Sequence, residues 1–141
     1  MKDQIIKEQL FNHPIEKIWK AISIGEEIST WFIPADFKAE KGYHYTFNAE
    51  GGECSAISGE VLEADPYTLS YTWIVTDSPA RTVVTWKLSK VEAGTLLYLE
   101  HSGISNYEGD TAIEMFTSFN GGWDNCLNGL VAHLKNEVHA G

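Results

Sequence analysis

The residue of this chain best placed to do chemistry is His101, at the end of the alternating run Thr95, Leu97, Leu99, His101 and just ahead of Ser102-Gly103. Alternation by two sets the imidazole on the inward face of a strand, level with apolar neighbours. Three roles fit a histidine in that position. It can be structural, with its ring nitrogens bonded to backbone near a helix. It can be a polar anchor for a bound molecule, or it can act as a general acid–base. Proton transfer asks for a partner group within reach, and the neighbouring sequence supplies none.

Other catalytic patterns are missing. The five histidines, at 13, 44, 101, 133 and 139, never stand four apart, and Cys54 and Cys126 form no Cys-x-x-Cys. No zinc-type spacing results, and neither a metal nor another cofactor is expected. There is no phosphate-binding glycine loop and no Gly-x-Ser-x-Gly elbow. Glu26-Glu27 and Glu60-x-x-Glu63 read as solvated surface, because a paired-carboxylate hydrolase needs both acids in one cleft.

Aromatic rings carry the next message. They make up 12% of the chain, and many bear a polar tip. Tyr43, Tyr45, Phe47, Tyr67, Tyr71, Trp73 and Trp86 share inward faces of strands, joined by Trp31, Phe116, Phe119 and Trp123 from helices. A dry core favours Leu, Ile and Val, so hydroxyl- and indole-tipped rings on one surface point to a partly hydrated cavity. Beside Trp123 runs a row of small residues, Gly122, Cys126, Gly129 and His133. Glycine inside a helix costs about 1 kcal/mol relative to Ala. Either close packing on rings such as Trp73 or Trp86 offsets that cost, or the row leaves room for a ligand; Gly59 on an inward strand face fits both. The candidate ligand-binding set is Trp31, Phe47, Tyr71, Trp73, Trp86, His101, Phe119, Trp123 and Cys126.

The elements that must position these residues are legible in the periods. Residues 3–11 alternate as a strand. Pro14 suits a first helical position, and Ile15, Ile18, Trp19 and Ile22 give that helix one apolar stripe. A second short helix is expected from about 26 to 32, with Ile28, Trp31 and Phe32 inward and Pro34 as its stop. The period then changes to two: Tyr43 to Asn48, Ile57 to Leu62, Tyr67 to Val75, Val84 to Leu88 and Thr95 to His101. Turns at Gly51-Gly52, Ala64-Asp65-Pro66, Asp77-Ser78-Pro79 and Glu92-Ala93-Gly94 separate them, which predicts an antiparallel meander buried on one face. Asp110, Thr111 and Glu114 suggest a capping box. From there Phe116, Phe119, Trp123, Leu127, Leu130, Leu134 and Val138 mark a long amphipathic helix, broken or bent near Gly121-Gly122. Such a helix can bury its stripe only against the sheet, so the fold class is α+β.

Composition narrows the partners. Twenty acidic residues against 10 basic ones give a net charge of −10, which repels nucleic acid and anionic membrane surfaces. No apolar run approaches the roughly 18 residues of a bilayer span. With no secretory segment after Met1 and two free, buried thiols expected, a cytoplasmic protein is the expectation.

Taken in order, several motifs resemble one family. They are Phe11-x-x-Pro14-x-x-x-x-Trp19-x-Ala21, Ile28-x-x-Trp31-Phe32, and Gly59-Glu60-Val61-Leu62-Glu63-Ala64-Asp65-Pro66-x-x-Leu69-x-Tyr71-x-Trp73. Gly94-Thr95-x-Leu97-x-Leu99-x-His101-Ser102-Gly103 and Gly122-Trp123-Asp124-x-x-Leu127-x-x-Leu130 complete the set. The chain thereby resembles the heat-shock-protein-90 ATPase activator homologues of the START-like superfamily, departing from them where a glycine pair before the third strand is reduced to Gly42. The resemblance implies one helix-grip domain over residues 1–141. Its curved antiparallel sheet of six or seven strands would wrap a long C-terminal helix, with two short helices after the first strand. It also implies a cavity under that helix, used across the superfamily for lipids, sterols and polyketides. The expected function is non-catalytic binding of a hydrophobic small molecule, lipid-, polyketide- or flavonoid-like. The alternatives are a co-chaperone module acting on a heat-shock ATPase in a stress response, or a cyclase- or hydrolase-like enzyme using the same cavity.

Overall fold

A computed structural model describes residues 4–32, 35–47, 56–65, 67–75, 80–107 and 109–140. Strand β1 (Ile5–Phe11) leads into helices α1 (Ile15–Ser23) and α2 (Gly25–Trp31). The meander follows as β2 (Ala35–Asp36), β3 (His44–Phe47), β4 (Ile57–Asp65), β5 (Thr68–Val75), β6 (Thr82–Val91) and β7 (Gly94–Ser102). A 3-10 turn at Ile104–Asn106 then hands the chain to α3 (Gly109–Ala140). The sheet order is β1-β7-β6-β5-β4-β3-β2, with every pair antiparallel. Strands β2 to β7 pair with their sequence neighbours, while α1 and α2 carry the chain from one sheet edge to the other. The result is the expected α+β helix-grip architecture.

Parity along β7 shows why these residues form this sheet. Thr95, Leu97, Leu99 and His101 are each fully buried, while Leu96, Tyr98 and Glu100 between them are half-exposed. A slip of one residue would put a histidine and two leucines in water, so the register is strongly held. Strand β1 lies alongside in register, Ile5 opposite His101 and Phe11 opposite Thr95. On the same face, Lys7 reaches over to α3 and pairs with Asp124 at 3.0 Å. In α1 the expected stripe is buried at Ile15, Ile18 and Ile22, with Trp19 half-buried against Tyr67.

Two glycines hold backbone approaches that a side chain would forbid. At Gly59 a Cβ would sit 2.1 Å from the Thr72 carbonyl oxygen, where β5 presses into β4. There the Thr72 hydroxyl accepts the Glu60 N–H at 2.8 Å, in place of a regular ladder bond. At Gly94, φ is +143° and a Cβ would lie 2.2 Å from the Phe11 carbonyl oxygen, which ties the β6–β7 turn to the end of β1.

Three expectations about helix ends are corrected. Pro14 caps α1 instead of entering it, because its ψ of 147° is extended; its carbonyl accepts the Lys17 and Ile18 N–H groups. Helix α2 begins at Gly25 and ends at Trp31, one residue ahead of the expected span at each end. Helix α3 starts at Gly109, so Asp110, Thr111 and Glu114 lie within it, and it runs unbroken through Gly121-Gly122. Asp3, Pro34, Asn48, Gly51-Gly52, Cys54, Pro66, Asp77-Ser78-Pro79 and the Val138 side chain lie outside the described residues.

Candidate functional site

The concave face of the sheet lays down the floor of the site. Tyr45 and Phe47 come from β3, Tyr71 and Trp73 from β5, Trp86 from β6 and His101 from β7, all buried. Residues two apart on a strand share a face, and antiparallel neighbours carry the same face across the sheet. Helix α3 supplies the roof with Phe119, Trp123 and Cys126, and α2 contributes Trp31, followed by Phe32.

The rings touch one another in a continuous layer. Trp73 lies 5.2 Å from Trp123, 5.6 Å from His101, 6.1 Å from Phe47 and 6.4 Å from Phe119, centroid to centroid. Trp86 stands edge-on to Trp123 at 5.8 Å, and Phe119 lies over His101 at 4.5 Å. Trp31 stacks on Phe32 at 5.4 Å, and Phe32 in turn meets Phe47 and Trp123. These separations are those of favourable offset and edge-to-face aromatic pairs. The floor is fully buried, whereas Trp31, Phe32, Phe116 and Phe119 are only half-buried and form a rim.

His101 is held at both nitrogens. The Trp123 indole donates to Nδ1 at 2.9 Å. An indole N–H can only donate, so Nδ1 carries the lone pair and the ring proton resides on Nε2. From there it points at the Thr82 hydroxyl, 2.6 Å away, whose own hydrogen goes to the Trp73 carbonyl at 3.1 Å. Desolvation pushes the His101 pKa down to about 3, so the ring is neutral. The nitrogens bond side chains, where the structural role expected from sequence had them bonding backbone. A general base needs a free lone pair, and Trp123 occupies the one His101 has.

The remaining polar tips are mostly tied inward too. Tyr45 donates to the Thr72 carbonyl at 2.5 Å, Trp86 to the Tyr71 hydroxyl oxygen at 2.9 Å, and Trp31 to the Ala21 carbonyl at 2.8 Å. The expectation that these tips imply water gives way to protein partners. Trp73 is different: it is 4% exposed and its Nε1–H has no partner among the described residues. Burial also raises the pKa of the Tyr45 and Tyr71 hydroxyls and of the Cys126 thiol, with Cys126 adding to the rise at Tyr71. The layer is therefore electrically neutral.

All nine residues singled out from sequence lie in this layer or on its edge. Three that matter were not among them. Phe32 links Trp31 to the floor; Phe37 sits 5.5 Å from both Tyr45 and Tyr71; Thr82 takes the His101 proton. Phe32 was legible as an inward residue of its helix. Phe37 stands outside any periodic run, and Thr82 stands two residues before Val84, in phase with an alternation recognised only from Val84 onward.

The glycine row divides differently from either account given for it. A Cβ at Gly121 or Gly122 would meet nothing within 4 Å, since both are exposed. At Gly129 it would come within 3.2 Å of the Trp31 carbonyl oxygen, so close packing holds there, but against α2 and not against Trp73 or Trp86. His133 meets Glu27 of α2 at 3.3 Å. No group of metal-ligating side chains occurs among the described residues. A separate cleft of about 490 Å³ lies between the start of α1 and the β6–β7 turn, lined by His13, Glu16 and Lys90 among others. It contains none of the nine residues and opens on solvated polar groups, so the aromatic layer is the better candidate.

The sequence model of one family, described as Activator of Hsp90 ATPase homolog 1-like protein, matches residues 12–135. Protein MLL2253 from Mesorhizobium loti is 30% identical and superposes with a TM-score of 0.83 over 94% of this chain and 97% of that one. Protein BH1534 from Bacillus halodurans, also 30% identical, gives 0.74 over 92% and 95%. CalU16 from Micromonospora echinospora, 25% identical, gives 0.77 over 97% and 79%. A comparison with curated proteins finds no match. The chain belongs to the Activator of Hsp90 ATPase homolog 1-like family.

Proposed function

We propose that this member of the family binds an uncharged, flat, apolar small molecule in the aromatic layer between the sheet and α3, and does so without catalysis. The observation that carries the proposal is the contrast within that layer. A buried floor of Phe47, Tyr71, Trp73 and Trp86, closed from above by buried Trp123, meets a half-exposed rim of Phe32, Phe116 and Phe119. Rings at a rim can turn aside with little loss of burial, and a flat hydrophobe can replace their contacts with the floor. Neutral His101, Tyr45, Tyr71 and Cys126 favour an uncharged occupant, because an ion would be desolvated with no counter-charge. His101 serves as a positioning residue that fixes the Trp123 ring.

Thermal denaturation with a panel of flat aromatics, sterols and fatty acids tests the proposal. A true ligand at a hundred times its Kd adds about 2.7 kcal/mol to stability and raises Tm accordingly. The same ligand should quench tryptophan fluorescence, since three buried indoles, Trp73, Trp86 and Trp123, line the layer. Flat aromatics that leave both Tm and fluorescence unchanged would sink it.

A second reading follows from the family description, which names an Hsp90 ATPase activator. Under it the chain would raise the ATP turnover of an Hsp90 partner. Titration of the chain into purified Hsp90 decides the matter: an unchanged ATPase rate removes this reading and leaves ligand binding intact.

A further inference from the structure

A buried donor without an acceptor is expensive, costing on the order of 1–3 kcal/mol, and native cores rarely keep one without a reason. Trp73 Nε1 is such a donor, on an indole 4% exposed in the middle of the floor. Two residues earlier on the same face of β5 stands Tyr71. Its hydroxyl oxygen accepts from Trp86, and no hydrogen bond from its own hydrogen occurs among the described residues. Acceptors nearby are already used: His101 Nδ1 by Trp123, Thr82 Oγ1 by His101, and the Trp73 carbonyl by Thr82. The layer therefore holds two spare donors, and each of these acceptors already takes a bond from another group while none takes one from Trp73.

We infer that Trp73 is the specificity-determining residue of this site, its indole N–H reserved for a hydrogen-bond acceptor on the ligand, with the Tyr71 hydroxyl as a second donor. The ligand class is then an uncharged aromatic ketone, quinone or ether, as opposed to a hydrocarbon, an amine or an alcohol that must itself donate. This rests on the binding site proposed above. Burial, which keeps the Tyr71 proton in place, supports the same assignment. A site with a spare buried donor favours the shape-matched ligand that can accept, because only that ligand pairs a donor that stays unpaired both in the free protein and in the complex with the other.

The test uses two probes of one shape, 9-fluorenone with a carbonyl and fluorene with a methylene, titrated against the whole protein by tryptophan quenching and calorimetry. Fluorenone should bind the native protein at least about tenfold more tightly than fluorene. In Trp73→Phe the preference should fall to within about threefold, through loss of fluorenone affinity, while fluorene binding changes little. Tyr71→Phe should narrow the preference in part, and it covers the case in which Trp73→Phe does not fold. In the native protein, fluorenone should also move the Trp73 indole N–H proton resonance downfield. Equal binding of the two probes, or a preference that survives both substitutions, overturns this inference and leaves the binding site standing. Failure of both probes to bind overturns the site together with the inference.

Discussion

Two kinds of core meet beneath α3. Towards its C-terminal half the buried side chains are aliphatic: Leu127, Leu130 and Leu134 in the helix, with Leu97 and Leu99 in β7 and Ile15, Ile18 and Ile22 in α1 in the same cluster. Most of these are fully buried, and none has a polar atom to satisfy. Around Trp123 and Phe119 the buried side chains are aromatic, tipped with donors, and edged by half-exposed rings. The aliphatic part is built as a clasp that holds sheet and helix together. The aromatic part keeps an unpaired indole N–H, a cost the clasp does not carry. An unpaired donor kept in one patch and absent from its neighbour is what the proposed binding role of the aromatic patch would require.

The sharpest way to break that division is to truncate one residue on each side. Leu130→Ala removes a fully buried side chain and should cost about 3 kcal/mol, measured as a fall in the urea midpoint at constant m-value. Phe119→Leu, at a half-buried rim position, should cost about 1 kcal/mol or less while altering the affinity of a flat aromatic probe. Equal losses from the two changes would erase the distinction between clasp and site.

Protonation gives a second, smaller effect. The His101 pKa in the folded chain is about 3, against about 6.5 when unfolded. Below pH 6.5 the unfolded chain binds a proton that the folded chain refuses. Its contribution is thus complete above that pH and is lost as pH falls towards 3. By pH 5 the loss should reach about 2 kcal/mol, at roughly 1.4 kcal/mol per pH unit. His101→Gln can accept from Trp123 and donate to Thr82 without titrating. The stability gap between native protein and variant should therefore narrow by about 2 kcal/mol from pH 7.5 to pH 5. A constant gap would show that the imidazole takes up its proton in the folded state, and that its place in the layer is not dry.

Much of this was legible in the sequence, for identifiable reasons. Strict alternation at Thr95, Leu97, Leu99 and His101 fixes both a strand and its face, so β7 and the inward imidazole could be read directly. Long-period stripes gave α1 and α3. What the chain does not spell out is pairing between side chains far apart in sequence. Thr82, Trp123 and His101 form one hydrogen-bonded line from three elements, and no local pattern announces that line. The rings themselves were visible, but their polar tips suggested water, because nothing in a linear pattern reveals that Trp86 faces Tyr71 across β5 and β6. Ring type is written in the sequence, whereas partner and satisfaction belong to the fold.

The smallest effect lies in the glycines of α3, and it separates surface from seam within a single helix. Gly122 is exposed, and a Cβ there would meet nothing within 4 Å. Gly122→Ala should stabilise by about 0.5–1 kcal/mol, because alanine loses less backbone entropy in a helix and nothing opposes it. Gly129 faces α2, where a Cβ would press on the Trp31 carbonyl oxygen at 3.2 Å. That oxygen belongs to backbone at the end of α2, so it can yield only by shifting Trp31, whose ring stacks on Phe32 at the edge of the layer. Gly129→Ala should therefore forfeit the helical gain and weaken binding of a flat aromatic probe, while Gly122→Ala leaves binding unchanged. Thermal melts and a probe titration on the two variants read both outcomes. An equal gain in Tm with unchanged affinity would mean that α2 moves freely against α3, and that the rim is not fixed by the helix pair.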